Sequence, residues 1–279
     1  MRIPGIVRIT RPLNSVVAGL ATVLAFLIAT GTVTLESLIL IPIVTLITAA
    51  GNVVNDLYDI GIDKINRPGR PLPSGEIRPG TAKIFAALLF ISGIALSIFT
   101  NPLCLAIAVF NSAVLILYAY RFKKSMGMGN IAVSYLSASI FLFGGAFAGI
   151  DGLLANLPIT GITFLAMMAR EVLKDVEDVE GDVAAGARTL PIALGIQKSS
   201  LIAIFFVLLA IVASVLPVSR WGVWYLVGIA IADIVILTGA LRPFRCHTSA
   251  CVRNTCATTY IKVGMFVALG VFTFSALVF

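Results

Sequence analysis

The sequence is short of charge. Only 12% of its 279 residues are Asp, Glu, Lys or Arg, against 59% hydrophobic residues, and the mean hydropathy is +1.05. Soluble globular domains carry about 25% charged and about 45–50% apolar residues. So little charge cannot cover a surface exposed to water, which excludes a soluble enzyme, a disordered tail and a nucleic-acid module. Histidine is nearly missing: His247 is the single copy. Cysteine is sparse as well. Cys104, Cys246, Cys251 and Cys256 do not form the framework of a small secreted domain. Taken with His247, their spacing fits no zinc-finger pair, so small buried or reactive thiols are expected instead of a metal site. A cleavable signal peptide is not apparent. Met1 to Arg11 is basic, but the apolar run behind it is long enough to span a bilayer and offers no small-residue cleavage site.

Long apolar runs are what the sequence has in abundance. A membrane span takes about 20 mostly apolar residues. Nine such runs are read, at 13–31, 36–58, 81–99, 103–120, 129–149, 158–175, 199–217, 222–241 and 260–278. The expected fold is therefore an all-α membrane protein of nine transmembrane helices. The second and sixth runs end in acidic sequence expected to stay helical past the membrane surface. The net charge is +7 and the pI near 9.5. In a membrane chain this reflects the excess of Lys and Arg on cytoplasmic loops and attraction to anionic headgroups. With the N-terminus inside, 19 of the 20 basic residues fall on the cytoplasmic side, and Arg220 is the exception. This asymmetry places the N-terminus in the cytoplasm and, with nine spans, the C-terminus outside. The outer connections 31–36, 100–102 and 150–157 are short, so chemistry is expected in the longer inner ones.

Eight of the thirteen acids lie in two clusters. Asp56, Asp59 and Asp63 are spaced i, i+3, i+7, and Asp175, Asp178 and Asp182 repeat that spacing. On a helix these steps line three carboxylates along one face. The flanks also rhyme: Arg70-Pro71-Leu72-Pro73 follows the first cluster and Arg188-Thr189-Leu190-Pro191 the second, with the clusters 119 residues apart. A unit of helix, acidic face, glycine-containing turn and Arg-x-Leu-Pro thus occurs twice on the same side of the membrane. It reads as internal duplication within one domain, 1–279, with pseudo-repeats of about 1–125 and 126–279 and two half-sites facing each other.

Three carboxylates on one face repel one another near a bilayer unless cations neutralise them. Hard oxygen ligands of this kind suit Mg²⁺, which keeps waters and commonly bridges one or two carboxylates to substrate phosphates. Two such faces would hold a diphosphate between metal ions. Arg67, Arg70, Lys174 and Arg188 lie near the clusters in sequence, Lys123 and Lys124 lie in the inner loop after the fourth run, and all can pair with further phosphate oxygens.

At these residues the sequence resembles the UbiA superfamily of intramembrane prenyltransferases. The family has nine transmembrane helices, an N-D-x-x-D-x-x-x-D signature after the second and a D-x-x-D-x-x-x-D signature after the sixth. Both are complete here, as Asn55/Asp56/Asp59/Asp63 and Asp175/Asp178/Asp182. The stretches Asn66-Arg67-Pro68-Gly69-Arg70 and Arg170-Glu171-Val172-Leu173-Lys174-Asp175 are most similar to the archaeal branch that makes digeranylgeranylglyceryl phosphate. The resemblance implies Mg²⁺-dependent transfer of a geranylgeranyl group from geranylgeranyl diphosphate to the free hydroxyl of geranylgeranylglyceryl phosphate. That is the second ether-forming step of archaeal lipid synthesis, in the cell membrane near its cytoplasmic face. It implies that Asn55, Asp59, Asp63, Asp178 and Asp182 hold two Mg²⁺ ions and diphosphate. Asp56 and Asp175 belong to the signatures, either as ligands or one layer behind them. Asp59, Asp63, Asp178 and Asp182 are the expected catalytic acids. Tyr120 and Lys124 match a family Tyr-x-x-x-Lys, with Lys123 as a rival phosphate ligand. Arg67 matches a diphosphate-contacting Arg, and Asn14 a polar position facing the cavity.

The signatures report the diphosphate half of the reaction, so an aromatic, quinone-type acceptor is the alternative within the family. From another class, a transporter also uses duplication and membrane acids, although these acids cluster near one membrane face and not at the midplane. A phosphatidyl-type transferase would show Asp-Gly-x2-Ala-Arg, which is not found. Asp233, in the eighth run, is either a functional acid or one satisfied by an interhelical hydrogen bond. Gly144, Gly145, Ala146 and Ala148 are expected to allow close helix packing.

Overall fold

The computed structural model describes residues 4–184 and 186–279, and the side chains of all of these except Ile65, Asn66 and Lys124. Among them there is no strand. Nine helices are long and apolar enough to cross a membrane: Pro12–Thr30, Glu36–Tyr58, Pro79–Ser97, Pro102–Tyr120, Met128–Phe147, Ile150–Ala184, Ile196–Ala213, Val218–Arg245 and Ala257–Val278. Each expected run meets one of them. Proline opens three, Pro12, Pro79 and Pro102, where its missing N–H has no intrahelical partner to lose. Asn101 caps the fourth by accepting the Cys104 N–H at 3.0 Å. Many large apolar side chains are exposed, among them Leu13, Ile84, Ile91, Phe205, Ile234 and Phe274. On a chain with this composition they are the lipid-facing surface.

The chain forms two compact units, Met1–Arg121 with Ile140–Leu154, and Phe122–Ser139 with Ala155–Phe279. In the first, the second long helix packs on the first, third and fourth. It buries Leu40, Ile43, Ile47 and Ala50, which recur at helical spacing, against Phe26, Phe90 and Phe143. Gly144 lets backbones approach closely: a Cβ there would sit 2.6 Å from Ala25 Cβ and from the Thr22 carbonyl. In the second unit the seventh, eighth and ninth long helices pack together, with Ala169, Val172, Leu173, Val207, Ile236 and Ile261 in a shared core.

The structure departs from expectation at 150–157. That segment is not a connection but the first two turns of the sixth long helix, which runs 35 residues with Pro158 inside it. Gly149, at φ +92°, reverses the chain immediately after the fifth helix ends, so no longer loop is needed. Pro158 removes one N–H from the ladder without ending the helix, which a bundle of neighbouring helices tolerates. At 1.5 Å per residue the helix is about 52 Å long, well beyond a hydrocarbon core of about 30 Å. Apart from Asp151, its charged residues all lie from Arg170 onward, so that end is the extension past the span.

Candidate active site

The first acidic signature sits where the second long helix ends. Asp59 closes that helix, and a short helix, Ile60–Asn66, follows. The break is slight. The Asp59 N–H donates to Asn55 O at 3.0 Å and the Asp63 N–H to Asp59 O at 2.8 Å, so the helical register carries through. Asp56, Asp59 and Asp63 thereby keep a common face.

Arginines hold two of these acids. Asp56, only 4% exposed, accepts from Arg11 Nη2 at 2.6 Å and from Arg70 Nη1 at 3.2 Å, both at Oδ1. The same Arg70 Nη1 lies 2.6 Å from Oδ2 of the buried Asp63. A buried carboxylate requires such partners, because an unpaired charge there is expensive. Arg11 reaches Asp56 from a left-handed backbone, φ +49°, that a non-glycine residue adopts only at a cost of about 1–2 kcal/mol. Asn55 and Asp59 form a separate pair, with Nδ2 donating to Oδ2 at 3.0 Å. Asn55 and Asp59 are half-buried; Asn14 and Arg67 are exposed, as is Tyr120, whose ring packs 5.8 Å from that of Tyr58.

The second signature lies on the extended end of the sixth long helix. Asp175 is half-buried and accepts from Asn130 Nδ2 at 2.8 Å. Asp178 is exposed and Asp182 half-buried. Asp182 feels the charges of Asp178, Lys174 and Lys123. One turn earlier on the same face, the buried Glu171 accepts from Arg170 Nη1 at 2.7 Å and from Lys174 Nζ at 3.0 Å. Lys123 and Arg188 are exposed, while the Lys124 side chain lies outside the described residues.

Several residues of this region are not marked by the sequence pattern. Arg11 and Asn130 each lie 45 residues from the acid they hold, and Arg253 lies 73 residues from Glu180, so no local spacing announces them. The cysteines differ from expectation too. Cys246 and Cys251 form a disulfide, and only Cys104 and Cys256 are free thiols. The reason is local: Cys246 and Cys251 flank a tight turn into a short helix, Ser249–Asn254, which brings their Cα atoms to 5.5 Å. His247 lies 3.3 Å from Gln197 Nε2. Asp233 accepts from Ser214 Oγ at 2.7 Å, which satisfies it inside the bundle.

Among the described residues, no three His, Cys, Asp or Glu side chains are gathered so as to enclose a metal ion. The donor set still fits Mg²⁺. Each signature offers hard carboxylate oxygens, the first adds an amide oxygen, and Mg²⁺ is ordinarily completed by water and substrate phosphate and not by a protein cage.

Residues 16–272 match the UbiA prenyltransferase family. The chain belongs to that family and is thus an enzyme of the prenyltransferase class. It is 53% identical over 279 residues, all of both chains, to digeranylgeranylglyceryl phosphate synthase of Methanoculleus marisnigri. Among solved structures it is similar to a digeranylgeranylglyceryl phosphate synthase at 36% identity and TM-score 0.87, covering 98% of each chain. It shares its fold with a UbiA homologue from Archaeoglobus fulgidus solved with GPP and Mg²⁺, at 17% identity and TM-score 0.68, over 95% of this chain and 99% of the other. The all-α architecture of nine membrane helices is accordingly the UbiA fold.

Proposed function

We propose that the chain transfers a geranylgeranyl group from geranylgeranyl diphosphate to the free hydroxyl of geranylgeranylglyceryl phosphate, forming the second ether bond of an archaeal membrane lipid. The observation that carries this reading is the full-length identity of 53% to an enzyme of that name, in a chain that keeps both acidic signatures intact. The excess of Lys and Arg on alternate loops supports a cytoplasmic location for both signatures.

Asn55, Asp59, Asp63, Asp178 and Asp182 would hold Mg²⁺, and Asp175 supports them through Asn130. When bound, Mg²⁺ supplies positive charge that stabilises the departing diphosphate. Lys123, Lys124, Arg67 and Arg188 pair with the remaining phosphate oxygens, and Lys174 does so on exchanging its partner Glu171, at 3.0 Å, for phosphate. Arg70 serves differently from a free phosphate ligand: it is bonded to Asp56 and Asp63 and fixes their positions. In the reaction the allylic C1–O bond breaks with its electron pair leaving on the diphosphate. The acceptor hydroxyl forms the new C1–O bond, and its proton passes to a signature carboxylate or to the released diphosphate. The apolar helix interiors exclude water from the allylic cation.

The test is an extraction assay on purified protein with labelled geranylgeranyl diphosphate and Mg²⁺. The acceptors are geranylgeranylglyceryl phosphate in one tube, and 4-hydroxybenzoate or dihydroxynaphthoate in others. Product confined to the first tube is the expected result. Product confined to an aromatic acceptor moves the chain to quinone-type prenylation, and product in none removes the transferase reading of this substrate set.

A further inference from the structure

The sixth long helix carries acids on two faces at its extended end. Asp175, Asp178 and Asp182 share one. Glu177 and Glu180, three residues apart, share another, which the helical period of 100° per residue turns to nearly the opposite side. The transfer reaction leaves Glu177 and Glu180 without a role, and the structure shows what grips them. The segment between the eighth and ninth long helices lies against that face. Arg253 Nη1 donates to the Glu177 carbonyl at 2.6 Å, and Arg253 Nη2 lies 3.5 Å from Glu180 Oε2. Ser249 Oγ donates to Glu180 Oε1 at 2.5 Å. Thr258 Oγ1, from the first turn of the ninth helix, donates to the Glu177 carboxylate at 3.0 Å.

Beneath these polar contacts, Val176 is buried against Cys246 and Val252. The Cys246 N–H bond to Pro243 O, at 2.9 Å, and the Thr248 cap on the Cys251 N–H, at 3.2 Å, close the segment into a compact turn. Cys256, in a left-handed conformation at φ +55°, then turns the chain directly into the ninth helix, so the clamp is fixed at both ends to spanning helices. Here the helix passes beyond the core built on Ala169, Val172 and Leu173: Asn130 bonds Asp175 on its front at 2.8 Å, and the clamp holds its rear.

We propose that Arg253, with Ser249 and Thr258, is a positioning element for Asp178 and Asp182: it holds the rear of the helix so that its front carboxylates meet Mg²⁺-diphosphate preformed. This rests on the reading of the second signature as part of the transfer site. It adds a fourth inner connection to the machinery, through residues that touch neither substrate nor metal. A helix end that must order itself on binding weakens apparent affinity, while leaving the chemical step intact once the ligand is bound.

The experiment uses the full chain in detergent, as wild type, Arg253→Gln, Arg253→Lys and Thr258→Val. Amide hydrogen exchange over residues 176–184, without metal or substrate, reads the clamp directly. Binding of Mn²⁺ with inorganic diphosphate, followed by the Mn²⁺ resonance signal, reads its consequence without turnover. The expected result for Arg253→Gln is faster exchange confined to that stretch and a Mn²⁺-diphosphate affinity weakened roughly three- to tenfold, the scale of one ordinary hydrogen bond lost. In turnover, the Mg²⁺ concentration for half-maximal rate rises by the same factor, with kcat held within about twofold. Arg253→Lys recovers part of the loss, and Thr258→Val shows a smaller change of the same kind should Arg253→Gln not fold. Unchanged exchange in the variants overturns the proposal, as does faster exchange with unaltered Mn²⁺ affinity. A wild type that binds Mn²⁺-diphosphate but prenylates no acceptor refutes the transferase reading and leaves the exchange and binding arms to decide the clamp.

Discussion

Arg70 and Asp63 are joined at 2.6 Å across about one helical turn and a loop, and the same guanidinium nitrogen reaches Asp56. This single contact decides how the first signature is built. The motif is not a bare row of carboxylates awaiting a cation. Its first and last acids are already held by the protein's own arginines, and Asp59 stands between them with Asn55 as its partner.

Removal of Arg70 therefore strikes the site and the fold together. Arg70→Ala leaves the buried Asp56 with Arg11 alone and strips Asp63 of its partner, a loss of about 1.5–3 kcal/mol on the scale of hydrogen bonds to charged groups. The thermal midpoint in detergent falls and transfer falls with it. The companion variant Asp56→Asn, which relieves the buried charge, loses stability less. Thermal melts of the two, side by side, check the ordering.

The signature acids outside these arginine pairs behave otherwise. Asp59→Ala or Asp178→Ala lowers kcat about 10²–10³-fold, the magnitude found when one preorganised electrostatic group is lost. The protein stays folded and membrane-inserted, since Asp178 is exposed and Asp59 closes its helix through a backbone bond. Retained turnover in either variant removes that acid from the mechanism.

Chelation stops transfer, and added Mg²⁺ restores it to the starting rate. The far-ultraviolet helix signal is unchanged throughout, because among the described residues no His, Cys, Asp and Glu side chains are gathered into a cage on which the helices depend. A collapse of helix content on chelation contradicts this.

Packing makes a matched pair of glycine predictions. Gly144→Ala drives a methyl to within 2.6 Å of Ala25 and Thr22, a clash costing about 1–3 kcal/mol in melts. Gly161→Ala, on the sixth long helix, meets nothing within 4 Å and gains helix propensity, so its midpoint is equal to or above that of the wild type.

Asp233→Asn leaves transfer within about twofold, since an amide oxygen accepts the Ser214 hydroxyl as the carboxylate does. A large drop in kcat measured at saturating substrate would falsify the view that Asp233 is a satisfied structural acid.

Much of this architecture was legible in the sequence because hydropathy and i, i+3, i+7 spacing are local signals. The spans follow from runs of apolar residues, and the two acidic faces from helical period. The sixth helix begins eight residues before its expected start, because Pro158 reads locally as a boundary while the structure carries the helix through it. What stayed hidden depends on contacts far apart in the chain. Nothing near Asp56 foretells Arg11, nothing near Asp175 foretells Asn130, and the cysteines give their pairing only once the turn at Ser249 is drawn. The expectation for Arg70 as a phosphate ligand illustrates the limit: proximity in sequence marks a cation beside the acids, but not which partner it takes.

In the second unit the sixth helix runs without a break from its apolar stretch into the second acidic face. Its lipid-facing stretch will seek to match the local hydrocarbon thickness by sliding or tilting, and the acids at its far end ride with it. Bilayer thickness is thereby a mechanical input to the chemistry. Reconstituted in acyl chains of graded length, the enzyme is expected to show an optimum of activity set by hydrophobic mismatch.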